Sequence, residues 1–173
     1  AETCTTDVDD GVADFWASAN TQRDAFACGR DAVDRGVGSV AAALDERERP
    51  YVLVINSDNG GFACGQYCRG SNWPRRGQKF FELEGGIKVP ALVYSPTLLP
   101  DAARGTKYAG LMHHVDWFAT FARLGGDFTA KEGYDSVDHW DYITGTSSGD
   151  ARTVIIHSAS ANQGTVRAGK YKY

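Results

Sequence analysis

Long hydrophobic runs are missing from this sequence. No uninterrupted apolar stretch approaches the roughly 18–20 residues that cross a bilayer, so no membrane span is expected. The first twenty residues carry Asp7, Asp9, Asp10 and Asp14 instead of a basic start and an apolar run, and no secretory leader is visible. Ala1 is not an initiator methionine, so the compartment stays open on this ground alone. Positive charge is not in excess either. Lys plus Arg total 18 against 22 Asp plus Glu, a net charge of −4, which gives a nucleic-acid or anionic-membrane partner no global electrostatic support. Proline is scarce, at 5 residues, and 42% of the 173 residues are hydrophobic, which excludes collagen-like, low-complexity and disordered chains. A single folded domain is expected.

Cysteine is limited to 4 residues, an even number that permits two disulfides without requiring them. Cys64 and Cys68 sit in the Gly-rich stretch 60–70, where a bridge would pin the loop in an oxidising compartment. Zinc is disfavoured there, because three intervening residues find no matching His or Cys pair elsewhere. Cys4 and Cys28 form a second bridge or remain two thiols.

Residues 1–20 are polar and without sustained period. From Thr21 to about Arg47, Phe26, Val33, Val37, Val40 and Leu44 recur as one face of an amphipathic helix requires. Pro50 ends it, and Tyr51–Ile55 is a short β-branched run that predicts a strand buried on both faces. A helix feeding a buried strand with polar residues at its carboxyl end suggests an α/β sheet that binds ligands at that edge. Residues 60–86 are a long Gly-rich connection, too long for a simple turn and therefore read as functional. Pro90–Tyr94 predicts a second strand. Leu111–Leu124 predicts a helix stopped by Gly125-Gly126, and 154–156 and 165–171 predict two further strands.

Asp58 and Asn59 are adjacent oxygen donors at the expected strand end, the donor type that Ca²⁺ or Mg²⁺ prefers. Read alone, Asp58-Asn59-Gly60-Gly61 equally makes a turn. Arg75, Arg76, Lys79 and Lys88 gather positive charge that would suit a sulfate or phosphate ester, or a solvated basic loop. His113 and His114 read as structural histidines on a helix, His139 as a loop residue, and His157 as ambiguous.

Taken in order, these stretches resemble the sulfatase family, most of all its arylsulfatase B-like branch. The resemblance runs through Ser57-Asp58-Asn59-Gly60-Gly61, then Ser71-Asn72-Trp73-Pro74-Arg75-Arg76-Gly77-Gln78-Lys79, then Glu84-Gly85-Gly86-Ile87-Lys88. It continues through Leu111-Met112-His113-His114-Val115-Asp116-Trp117, through Gly133–Trp140, and through Val166–Lys172. The helix from Ala32 to Leu44 is also similar, so the likeness covers about residues 22–173 and leaves 1–21 as a poorly matched lead-in.

The resemblance implies the C-terminal part of an alkaline-phosphatase-like α/β catalytic domain, a mixed sheet flanked by helices that ends as a small antiparallel sheet begins. It implies sulfuric-ester hydrolysis, Ca²⁺ held by Asp58 and Asn59, and Lys79 contacting the sulfate. The implied substrate is a sulfated small molecule or sulfated glycan, and the implied location is secreted or within the lysosomal or endomembrane lumen. The family's nucleophile is a formylglycine made from a Cys-Xaa-Pro-Ser-Arg-type sequence. Cys4, Cys28, Cys64 and Cys68 are instead followed two residues later by Thr6, Arg30, Gln66 and Gly70, so no precursor is present. Asp9-Asp10 fits the family's upstream metal pair poorly, because no apolar strand precedes it. Ala119 replaces the usual Pro of the Asp-Trp-Xaa-Pro-Thr pattern, and Leu83 replaces a frequent aromatic. The alternatives are an inactive sulfatase-like binding or structural module, and a phosphoester hydrolase of the same superfamily.

Overall fold

The computed structural model describes residues 22–63, 70–126, 133–160 and 164–173. Cys4, Cys64, Cys68 and Asp9-Asp10 lie outside the described residues. The chain divides into two compact units, residues 1–96 and 97–173.

The first unit contains the expected long helix, α1 (Gln22–Asp45). A Cβ built on Gly36 or Gly38 would meet nothing within 4 Å, so close packing requires glycine at neither position. Phe26, Val33 and Val40 of the apolar stripe are 49%, 62% and 51% exposed, so the period of the stripe does not by itself bury it. Cys28, on this helix, is disulfide-bonded, which excludes the free-thiol alternative.

Strand β1 (Leu53–Asn56) pairs antiparallel with β2 (Ala91–Tyr94), Leu53 facing Tyr94 and Asn56 facing Ala91. The burial of β1 differs from expectation. Its side chains are half-buried or exposed, because it lies in a two-stranded sheet. The register joins the end of β1 to the start of β2, and Ser57 N–H extends the pairing to the Pro90 carbonyl at 3.4 Å. The segment between them is therefore an excursion closed at its base. Within it, residues 84–87 form a single helical turn, α2 (Glu84–Ile87).

The second unit opens with a 3-10 turn (Asp101–Ala103), followed by α3 (Asp116–Leu124), the short α4 (Trp140–Ile143), and the antiparallel sheet β3 (Val154–Ala159), β4 (Gly164–Ala168), β5 (Tyr171–Lys172). Helix α3 begins later than the pattern from Leu111 suggests. Leu111 instead bridges to Arg152, and the Asp116 carboxylate accepts the His113 N–H at 2.8 Å, which keeps both histidines ahead of the helix. The expected strand 165–171 is interrupted after Ala168, where Gly169 takes φ +53° and turns the chain into β5.

All strand pairings among the described residues are antiparallel, so the mixed sheet is not formed among them. The buried apolar side chains among them are Leu99, Ala119 and Ile155, all in the second unit. Buried positions in the first unit include Gly60, Gly85 and Gly86, where backbone packs on backbone.

Candidate functional site

Asp58 and Asn59 follow the carboxyl end of β1, where polar residues end the apolar run. The Ser57 hydroxyl donates to the Asn59 carbonyl at 2.8 Å and shapes the bend, leaving Asp58 exposed and Asn59 half-buried. Gly60 N–H then donates to the Gly86 carbonyl at 2.7 Å. A Cβ on Gly60 would overlap the Gly85 carbonyl, and one on Gly85 would overlap the Gly77 carbonyl, so both positions require glycine for close backbone approach.

Asn72 makes the next connection. Its Oδ1 accepts from Gly61 N–H at 2.8 Å, and its Nδ2 donates to the Gly61 carbonyl at 2.7 Å and the Gly77 carbonyl at 3.1 Å. Lys79 N–H also donates to the Gly61 carbonyl, at 3.2 Å. The backbone bearing Lys79 is thereby attached two residues beyond Asn59. Lys79 itself is half-buried, with Nζ 5.5 Å from the centre of the Phe80 ring, and that ring meets Phe62 edge-on at 5.4 Å. Phe80 has φ +80°, a strained conformation for an aromatic residue, immediately after the candidate lysine. Arg75, Arg76 and Lys88 are exposed. The structure therefore brings Asp58, Asn59 and Lys79 onto one tied excursion.

The second unit holds a separate polar cluster. The Asp116 carboxylate, 0% exposed, accepts from Arg152 Nε at 2.8 Å and Nη2 at 2.5 Å, and from the N–H groups of His113 at 2.8 Å and Val137 at 2.9 Å. His139 lies in the loop just before α4, as expected, but is buried. Its Nε2 is 3.2 Å from Asp116 Oδ2, an electrostatic contact without hydrogen-bond geometry, and its Nδ1 pairs with the Tyr108 hydroxyl at 3.1 Å. Burial would raise the Asp116 pKa, but His139, Arg152 and the two N–H groups outweigh it and hold the carboxyl well below the usual carboxylate range. Burial pushes the His113 imidazole pKa down, with Arg152 and His114 acting in the same direction against Asp116. Enclosed and saturated with donors, Asp116 is built to hold structure together. Sequence reading singled out Asp58, Asn59 and Lys79 as candidates and passed over Asn72, Tyr108 and Arg152, which the structure places in the two polar clusters. Only the place of Asn72 within the 71–79 motif could have pointed to it.

A sulfatase family model matches residues 3–126, well over half of the chain. The chain belongs to the sulfatase family. That is a family of sulfuric-ester hydrolases, and the match takes in most of the lead-in that the motif comparison leaves out. The chain is 33% identical over 129 residues to arylsulfatase J of Mus musculus, an alignment covering 72% of the chain and 20% of that protein. It is 32% identical over 143 residues to steryl-sulfatase of Mus musculus, covering 78% of the chain and 22% of that protein. The chain thus spans about a fifth of the length of these curated relatives. No helix among the described residues is long and apolar enough to cross a membrane.

Proposed function

We propose that this chain is the C-terminal part of a sulfatase catalytic domain that hydrolyses sulfate esters, with Asp58 and Asn59 on the cation and Lys79 on the sulfate. In this reading residues 1–173 all belong to one alkaline-phosphatase-like domain. The mixed sheet flanked by helices is completed in the longer protein, and β3–β4–β5 is the small antiparallel sheet. The supporting observation is the bond from Lys79 N–H to the Gly61 carbonyl, which joins the lysine's segment to the loop of the two oxygen donors.

The donor chemistry fits Ca²⁺ in part. A carboxylate and an amide oxygen at adjacent positions suit a hard cation, but Ca²⁺ takes 6–8 oxygen ligands. Among the described residues there is no group of three or more His, Cys, Asp or Glu side chains that could hold a metal. Asp58 and Asn59 would supply only two or three of these oxygens. When bound, the cation would draw charge from the sulfate oxygens as the S–O bond breaks. Lys79 would bind and orient the sulfate through its ammonium, whose Nζ stands over the Phe80 ring, and would stabilise the charge that develops during cleavage. The nucleophile comes from elsewhere: no cysteine here carries the formylglycine signature, and Cys28 is committed to a disulfide. The substrate is a sulfated small molecule or glycan, met in a secreted or lumenal setting.

NMR titration of the 173-residue chain with CaCl₂ and then with sodium sulfate tests these roles. Ca²⁺ should bind weakly, with Kd of about 0.1–1 mM or above. Sulfate should then shift the Lys79 amide, and the shift should vanish in Lys79→Ala. Submicromolar Ca²⁺ affinity lost in Asp58→Ala would mean that a full ligand set lies in this chain. A sulfate response indifferent to Lys79→Ala, or no response at all, would remove Lys79 from the site.

A further inference from the structure

We propose that Asn72 is the positioning residue of this site: its carboxamide locks the Asp58–Gly61 loop and the Lys79 segment into one register. The proposal rests on the reading of Asp58, Asn59 and Lys79 given above. A neutral carboxamide offers two N–H donors and a carbonyl acceptor. In Asn72 all three functions are used on the main chain: Oδ1 by Gly61 N–H, and Nδ2 by the carbonyls of Gly61 and Gly77. Those carbonyls stand two residues after Asn59 and two before Lys79. Gly61 O is the shared node, since Lys79 N–H reaches it as well.

Other side chains cannot reproduce this. Asp lacks the donors, Gln carries its amide one methylene too far, and Leu has neither function. The glycines belong to the same device. A Cβ on Gly61 would stand 3.2 Å from Asn72 Oδ1, and Gly77 has φ +87°, a left-handed conformation that favours glycine. The local turn does not depend on the side chain, because the Asn72 carbonyl accepts Arg75 N–H at 2.8 Å through backbone alone. Replacing the side chain should therefore leave the turn in place while uncoupling the two segments that carry the site.

Amide hydrogen exchange on the 173-residue chain with Asn72→Ala and Asn72→Asp tests this. The Asp variant keeps an oxygen for Gly61 N–H but sets a carboxylate against two carbonyls. Lys79 N–H exchange should accelerate by about ten-fold or more in both variants. Gly61 N–H should accelerate in Asn72→Ala and stay protected in Asn72→Asp, a split that general loosening would not produce. The amide of Val166, in β4, should not change. If Asn72→Ala loses protection throughout, Asn72→Asp, which keeps the acceptor for Gly61 N–H, decides the matter. Unchanged Lys79 exchange in both variants overturns the proposal, whether or not sulfate binds. Where sulfate shifts the wild-type amides of Asn59 and Lys79, the variants should bind it at least five-fold more weakly, and equal affinity would also overturn the role. Accelerated Lys79 exchange in a chain whose wild type ignores sulfate supports the coupling by Asn72 and sinks the sulfate reading instead.

Discussion

Asp116 and the candidate ligand Asp58 are the same residue type in opposite settings. Asp58 is exposed at the end of a strand, whereas Asp116 is enclosed and accepts hydrogen bonds from Arg152, His113 and Val137. The folded-state pKa of Asp116 lies below its unfolded value, near 3.9. Its stabilisation is therefore fully present above the unfolded value and is lost as pH falls through it toward the folded value. Urea unfolding from pH 7 to pH 3 should show stability falling steeply below about pH 4–5. Asp116→Asn should flatten that acid limb while costing about 3–5 kcal/mol at pH 7, because Arg152 is left with a poorly compensated charge. An unchanged acid limb would mean that other carboxylates control acid unfolding. At this scale the sequence displayed Asp58 and Asn59 through residue type and place. Nothing in residue type distinguishes Asn72, whose amide bonds to Gly61 across eleven positions.

Helix α3 shows the same division for an element. Its apolar spacing was readable, but its start was not, because the Asp116 side chain captures His113 N–H and Leu111 is drawn into a bridge with Arg152. The Ser136 hydroxyl inserts into its first turn, accepting Ala119 N–H at 2.8 Å and donating to the Val115 carbonyl at 2.7 Å. Those two backbone groups are the i and i−4 partners of an ordinary helical bond. The cost of a proline at position 119 should therefore stay well below the ~3 kcal/mol of an interior proline. Ser136→Ala should cost about 1–2 kcal/mol, since a buried N–H loses its acceptor. Chemical-denaturation midpoints of the two variants check both values, and an Ala119→Pro penalty above that of Ser136→Ala would refute the insertion argument. The β4–β5 turn was hidden in an alternating run because alternation reports the face of a strand and not its continuity.

For the whole molecule, the proposed function turns on the nucleophile: no cysteine of the 173-residue chain carries the formylglycine signature. The 173-residue chain should show no turnover of an aryl sulfate, since positioning does not replace the covalent step. In a longer sulfatase chain that includes these residues and a formylglycine, Asp58→Ala and Lys79→Ala should each lower kcat/KM by about 100-fold or more. Aryl phosphate turned over faster than aryl sulfate by that protein would reassign the chemistry. The sequence by itself determined the family and the approximate places of the long helix, of α3 and of strands β1 to β4, because these reside in local spacing and chemical identity. Tertiary structure decided which groups are joined across the chain: Asn72 to Gly61 and Gly77, Lys79 to Gly61, Arg152 to Asp116, and Ser136 into α3. It also decided that Phe26, Val33 and Val40 stay exposed despite their helical period. The physical reason is that hydrogen bonds and burial depend on distances between segments, which local periodicity does not encode.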